Sequence, residues 1–185
     1  MVTGMLVFCC FIDMPSIVRE NYPHVMEDEI VPIVTAIVES GQKYDISPVL
    51  LFSVLHVESK MGKYTQSETQ DYGPMQINEF WFPVLKITEK DVSGFKNALN
   101  YGSEILATKR NEIGRQGCWW SVYNSRTPRY RRKYEYAVRE FMSDTLGLPF
   151  HCNKALDDWQ SGMLAMKKSK WSSWPRFEGI LLSRK

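Results

Sequence analysis

The feature of the sequence that most constrains the fold is residues 48 to 59, a segment that is apolar on nearly every side of the helix it predicts. It reads PVLLFSVLHVES. Ser47 can accept free backbone amides as the N-cap, and Pro48 suits the first helical position. A helix that is apolar all round has to be covered on every side. The chain is therefore expected to fold around this central helix.

Hydrophobic periodicity predicts three further helices separated by short turns. One follows the acidic residues 27–29 and stops before Gly41. Another spans about 97–113, and the last follows Pro128 and stops at Gly147. Residues 60–83 are polar and contain glycines, which predicts a small irregular or short-strand loop region. The sequence thus predicts a mainly α fold.

Composition indicates one folded domain with flanking segments. The 185 residues are 44% hydrophobic and 13% aromatic, so the chain can bury enough apolar surface to offset the entropy of ordering, which disfavours a disordered protein. No stretch approaches the 18 uncharged apolar residues of a membrane-spanning helix. We divide the chain into an N-terminal segment (1–26), a main domain (27–147) and a C-terminal tail (148–185).

Export is predicted from the uncharged apolar run VTGMLVFCCFI at residues 2–12, which could be the core of a secretory signal. No basic residue precedes this run, and no A-x-A cleavage site follows it, so a buried first strand or helix is the alternative. Two of the four cysteines would leave with a signal. The others, Cys118 and Cys152, could pair in an oxidising compartment or remain as unpaired core thiols.

Glu58 is the main candidate for chemistry. Leu51, Val54 and Leu55 precede it by seven, four and three residues, so its neighbours on the helix surface are hydrocarbon. Desolvation there should raise the pKa of the carboxyl, as a general acid requires. The alternative is a carboxylate at a helix end that points into water. Glu39 lies in a similar Val-Glu-Ser sequence but closes a different helix.

Four short motifs follow one another in a recognisable order. They are HVES at 56–59, DYGPMQIN at 71–78, NALNYG at 97–102 and VYN at 122–124. In this order and spacing they resemble the lytic transglycosylases of the soluble-lytic-transglycosylase type, related in fold to goose-type lysozyme, over about residues 30–141. The resemblance implies a lysozyme-like helical domain. The compact size is similar to that of specialised members that accompany conjugation and other secretion systems.

The resemblance implies a role for each matching residue. Glu58 matches the single acid/base that cleaves the bond between N-acetylmuramic acid and N-acetylglucosamine, leaving a 1,6-anhydromuramoyl end. Ser59 matches the following residue, whose hydroxyl can bind the carboxyl or the sugar. Gly73, Met75 and Gln76 match the loop that forms the cleft wall.

Two further substrate-binding residues are implied in the last motif. Tyr123 matches the phenol that orients the acid, and Asn124 matches the amide that contacts the glycan. The same fold could instead support a goose-type muramidase, in which water replaces the C6 hydroxyl and Asp71 is the nearby second carboxylate. A non-catalytic scaffold in the cell wall is the alternative of another class.

No metal or cofactor is predicted, because the histidines are scattered and no nucleotide-binding glycine pattern is present. The segment 126–139 is strongly basic with interleaved tyrosines, which would suit nucleic acid, but its apolar positions account for a core face and leave the cations as a solvated face. No nucleic acid is therefore expected. The tail, with Trp159, Trp171 and Trp174, could dock secretion or conjugation machinery, stack on sugars or pack on the domain.

Overall fold

The computed structural model describes residues 12–63, 66–115 and 117–147 and confirms a mainly helical fold. Residues 1–11, which include all of the apolar run 2–12 except Ile12, and the tail 148–185 lie outside the described residues. The elements are α1 (Met14–Asn21), α2 (Glu27–Tyr44), α3 (Pro48–Ser59), β1 (Asp71–Tyr72), β2 (Ile77–Asn78), α4 (Trp81–Leu85), α5 (Glu89–Val92), α6 (Phe95–Ile113), a 3₁₀ helix (Trp119–Val122) and α7 (Pro128–Asp144).

Helix α3 lies at the centre, as its composition predicts. Its residues from Pro48 to Leu55 are all buried. The Ser47 hydroxyl accepts the Leu50 amide at 3.4 Å and so satisfies one of the free donors of the first turn. Helices α2, α6 and α7 surround it, with α2 packed on both α3 and α6 and α7 packed on α3. An all-apolar helix is stable here because each of its sides meets a neighbour.

Helix α2 differs from its predicted bounds. Gly41 was expected to stop the helix, but α2 continues to Tyr44 and Gly41 is buried within it. The stop comes from Asp45, which adopts a left-handed conformation (φ 52°) and donates its amide to the Gly41 carbonyl. Aspartate tolerates this conformation better than most residues, so the C-cap needs no glycine.

The two predicted C-terminal helices are present. Helix α6 ends at Ile113 with Gly114 as its C-cap, as predicted. Helix α7 ends at Asp144, three residues before the expected stop at Gly147. Its core face consists of Tyr134, Val138, Phe141 and Met142, whereas Ala137 is only half-buried.

Helix α1 extends the core upstream of residue 27, where the main domain was predicted to begin. Met14 and Val18 are fully buried, and α1 packs on α2. Asp13 caps the helix by accepting the Ser16 amide at 3.4 Å. Residues 12–26 thus contribute side chains to the same core as the main domain.

The stretch predicted as a loop with short strands contains a small antiparallel hairpin. Asp71 pairs with Asn78, and Tyr72 pairs with Ile77. The short helices α4 and α5 follow the hairpin and were not predicted. A capping box between Thr88 and Asp91, visible in the sequence, starts α5.

Candidate active site

A cleft of about 560 Å³ opens beside the end of α3. Its walls come from α3, the hairpin, α4, α6 and the segment around the 3₁₀ helix. Four of the seven predicted site residues line it: Glu58, Gln76, Tyr123 and Asn124. Sequence analysis did not select the lining residues Trp81, Ile105 and Tyr130.

Glu58 occupies the last turn of α3, where the chain turns away from the helix axis. Lys60 and Met61 both adopt positive φ values and end the helix. The pKa of Glu58 is raised from 4.5 to about 8: burial raises it most, a hydrogen bond from Tyr134 lowers it, and the nearby carboxylate of Asp71 raises it. Desolvation is the dominant cause, because the charged form loses water. Glu58 is therefore protonated at neutral pH.

The phenol that contacts the acid belongs to Tyr134 on α7. Its hydroxyl donates to Glu58 Oε1 at 2.5 Å. Burial and the adjacent Glu58 raise the pKa of Tyr134 well above its usual value, so the hydroxyl stays protonated as a donor. Sequence analysis identified Tyr134 only as a core residue. A buried tyrosine needs a partner for its hydroxyl, and this was the signal that could have found it.

Tyr123 makes a different contact from the one that was expected. Its hydroxyl donates to the Met75 carbonyl at 2.7 Å. This bond joins the end of the 3₁₀ helix to the turn of the hairpin. Burial raises the pKa of Tyr123, and Glu58 and Asp71 contribute to that rise, so the ring lies within the field of both carboxylates. Tyr123 thus lines the cleft and fixes its wall, while Tyr134 holds the acid.

The turn of the hairpin is shaped by a glycine that cannot be replaced without strain. Gly73 has φ 71°, and a Cβ placed on it would lie 1.9 Å from the Val92 carbonyl oxygen. Gln76 folds back over this turn and donates Nε2 to the Gly73 carbonyl at 3.0 Å. Met75 is fully buried, so it supports the loop from beneath. The backbone here approaches α5 closely because position 73 carries no side chain.

Ser59 also differs from expectation. Its hydroxyl donates to the Leu55 carbonyl at 3.4 Å instead of contacting the carboxyl of Glu58. A serine within a helix commonly bonds to the carbonyl one turn back. Ser59, Gly73 and Met75 do not line the cleft.

Asp71 also lines the cleft and is held by hydrogen bonds from the residues around the hairpin. Its Oδ2 accepts the hydroxyl of Ser67 at 2.7 Å and that of Thr69, and its Oδ1 accepts the amide of Asn78 at 2.9 Å. Three donors occupy most of the acceptor capacity of one carboxylate. They fix a negative charge close enough to Glu58 to raise the pKa of that residue.

Other chemistry can be assessed only within the described ranges. There, no cluster of three His, Cys, Asp or Glu side chains could hold a metal ion. In the same ranges, no helix combines the length and the apolar character needed to cross a membrane. Cys118 is disulfide-bonded. The other three cysteines lie outside the described residues, so the pairing with Cys152 stays a prediction.

Comparison with known proteins agrees with this architecture. Searches of curated proteins and of solved structures gave no match. A family model described as "Transglycosylase SLT domain" matches residues 35–140, more than half of the chain. The matched range contains Glu58, the hairpin and Tyr134, and this family indicates a transglycosylase-type activity on peptidoglycan. The chain belongs to the transglycosylase SLT family.

Proposed function

We propose that this protein is a peptidoglycan lytic transglycosylase in which Glu58 is the single general acid/base. The observation that carries the proposal is a carboxylic acid with a pKa of about 8 that lines a cleft and is held by a phenol. An acid that keeps its proton at neutral pH can give it to a leaving oxygen. The cleft provides the space for a glycan strand.

The reaction proceeds in two proton transfers. Glu58 protonates the oxygen between N-acetylmuramic acid and N-acetylglucosamine, and the bond from that oxygen to C1 of the muramic sugar breaks. The resulting carboxylate takes the proton of the C6 hydroxyl of the same sugar, and this oxygen bonds to C1. Glu58 is thereby reprotonated, and the product has a 1,6-anhydromuramoyl end.

The setting of Asp71 favours this route over hydrolysis. Hydrolysis with a carboxylate pair needs a second group free to activate water or attack C1. The three donors that Asp71 accepts leave it suited to an electrostatic role. Before the reaction, its negative charge raises the pKa of Glu58 and so helps that residue to keep its proton. During bond cleavage, the same charge stabilises the positive charge that develops at C1.

Mass spectrometry of digested sacculi tests the reaction. We expect anhydro ends from the wild type and a loss of at least ~100-fold in Glu58→Gln, because general acid catalysis contributes about that much or more. Glu39→Gln is the matched control, since Glu39 is exposed and lies in the same Val-Glu-Ser context. Reducing ends with an added water would assign hydrolysis, and inactivity of the wild type would favour a non-catalytic scaffold.

We further propose that the protein is exported to the periplasm and opens the wall for a secretion or conjugation apparatus. A disulfide at Cys118 is typical of an oxidising compartment. The role in an apparatus rests on the sequence resemblance, with residues 148–185 as the candidate docking segment. N-terminal sequencing of the protein from fractionated cells tests the location. An uncleaved chain confined to the cytosol would refute it.

A further inference from the structure

A second cavity, of about 490 Å³, lies beside the cleft and is lined mainly by charged side chains. Its lining consists of Lys109, Glu112, Ile113, Val122, Arg126 and Arg131. Three of these six carry a positive charge and one carries a negative charge. The chemistry proposed for Glu58 uses none of these six residues.

The cavity adjoins the cleft along two segments of the chain. On α6, Lys109 follows the cleft residue Ile105 by one helical turn, and its ammonium lies 5.1 Å from the ring centroid of Trp81, another cleft residue. In the segment after the 3₁₀ helix, Arg126 directly follows Ser125, the last of three consecutive cleft residues. A ligand that occupies the cleft therefore has the cavity at its side.

The charges within the cavity are only partly balanced. Glu112 Oε2 contacts Arg126 at 2.6 Å and Lys109 at 3.7 Å, so one carboxylate serves two cations. Arg131 donates Nε to the Ser121 hydroxyl at 3.3 Å, a neutral partner. The side chain of Lys109 is 15% exposed and that of Arg126 is 73% exposed, so one cation lies deep and the other at the rim.

This arrangement suits a single carboxylate better than a phosphate. Cations in excess attract an anion, and guanidinium groups bind carboxylates through paired hydrogen bonds. The resident carboxylate of Glu112 would repel a dianion such as a phosphate monoester. The glycan of peptidoglycan carries short peptides on its muramic sugars, and these peptides end in or contain free carboxylates.

We propose that this cavity is a subsite for a carboxylate of the peptide stem attached to the sugar in the cleft. The inference rests on the proposed function, because it takes the cleft as the glycan site. Arg126 and Arg131 bind the carboxylate, and Lys109 adds charge from the cleft side. Substrates with intact stems are thereby preferred over bare glycan.

The test is a pelleting assay in the Glu58→Gln background, which measures affinity for sacculi without cleavage. The double variant Arg126→Gln/Arg131→Gln is compared with Arg129→Gln/Arg132→Gln, which removes the same charge from the same region outside the cavity. We expect about fivefold weaker binding of the first variant to intact sacculi and less than twofold for the second. On sacculi with amidated carboxylates, the first variant should match its parent.

Several results would overturn the subsite. Equal losses in both double variants would indicate general attraction to an anionic surface, and a loss that persists on amidated sacculi would assign the cavity to the sugar. Binding of duplex DNA that only the cavity variant abolishes would assign it to nucleic acid. Arg126→Gln alone, at an exposed side chain, keeps the test informative if the double variant fails to fold. Absence of anhydro ends from wild type, with the expected pelleting pattern intact, would refute the catalytic proposal alone.

Discussion

The buried carboxyl of Glu58 makes the free energy of unfolding depend on pH, and the substitution Glu58→Gln should remove this dependence. In the unfolded chain Glu58 releases its proton near its ordinary pKa of 4.5, whereas in the folded protein the pKa is about 8. Between these values the folded state holds a proton that the unfolded state has lost. The free energy of unfolding therefore falls as the pH rises through this window, and the stabilisation is fully present only below about pH 4.5.

The magnitude follows from the same pKa. Each tenfold change in proton affinity corresponds to 1.36 kcal/mol, so ionising Glu58 in the folded protein costs about 5 kcal/mol in total. Between pH 5 and pH 9 the part lost is about 4 kcal/mol. Glutamine has nearly the same shape, can accept the Tyr134 hydroxyl and does not titrate. Glu58→Gln should therefore be close to wild type in stability at pH 5 and about 4 kcal/mol more stable at pH 9.

Urea unfolding at pH 5 and pH 9 measures this difference directly. All other titrating groups are shared by the two proteins, so the comparison isolates position 58. Glu39→Gln should follow the wild type at both pH values, because that side chain is exposed. The reasoning is refuted if Glu58→Gln loses as much stability between pH 5 and pH 9 as the wild type. It is refuted equally if Glu39→Gln shows the same gain.

Three further outcomes follow from the same geometry. Tyr134→Phe removes the donor that lowers the pKa of Glu58, so the pKa of the carboxyl should rise. The rise should correspond to about 1.5–3 kcal/mol, the contribution of a hydrogen bond to a charged group. NMR titration of the carboxyl measures it. Wild-type cell-wall-clearing activity should decline above about pH 8 as Glu58 ionises, and a profile that is flat to pH 10 would contradict this. Gly73→Ala should lower the free energy of unfolding by more than about 2 kcal/mol, measured by thermal unfolding, because the new Cβ would meet the backbone of Val92. Gly94→Ala is the control. A Cβ at that position meets no atom within 4 Å, so the free energy of unfolding should change little.

Much of the acid's environment could be predicted from local sequence. The apolar residues one and two turns before Glu58 belong to the same helix, so their proximity depends only on helical geometry, and the raised pKa agrees with that reasoning. An irregular or short-strand loop region was expected at residues 60–83 because polar segments that contain glycine favour turns, but the pairing of β1 with β2 was not predicted. The left-handed stop at Asp45 was missed because glycine is the more common helix-ending residue, and Gly41 comes first in the sequence.

The remainder depended on contacts between distant segments. Tyr134 is 76 residues from Glu58, and periodicity could place it on a core face but not beside a particular carboxyl. Tyr123 was assigned to the acid by resemblance, whereas its hydroxyl reaches a backbone carbonyl of the hairpin. Tyr134, eleven positions later, makes the contact with the acid that was expected of Tyr123, and the packing of α7 on α3 brings it there.

Helix α7 also explains how an acid can keep its proton next to a strongly basic segment. Its core face is set by Tyr134, Val138 and Phe141, which recur at helical spacing. Arg131 lies one turn before Tyr134 and approaches the same side, but its guanidinium is turned to the Ser121 hydroxyl. Among the described residues, the charged group that acts on the pKa of Glu58 is Asp71, which raises it. A cation at position 134 would pair with Glu58 and lower the pKa of that carboxyl. Because position 134 is a neutral phenol, helix α7 can orient the acid and still carry a basic outer surface.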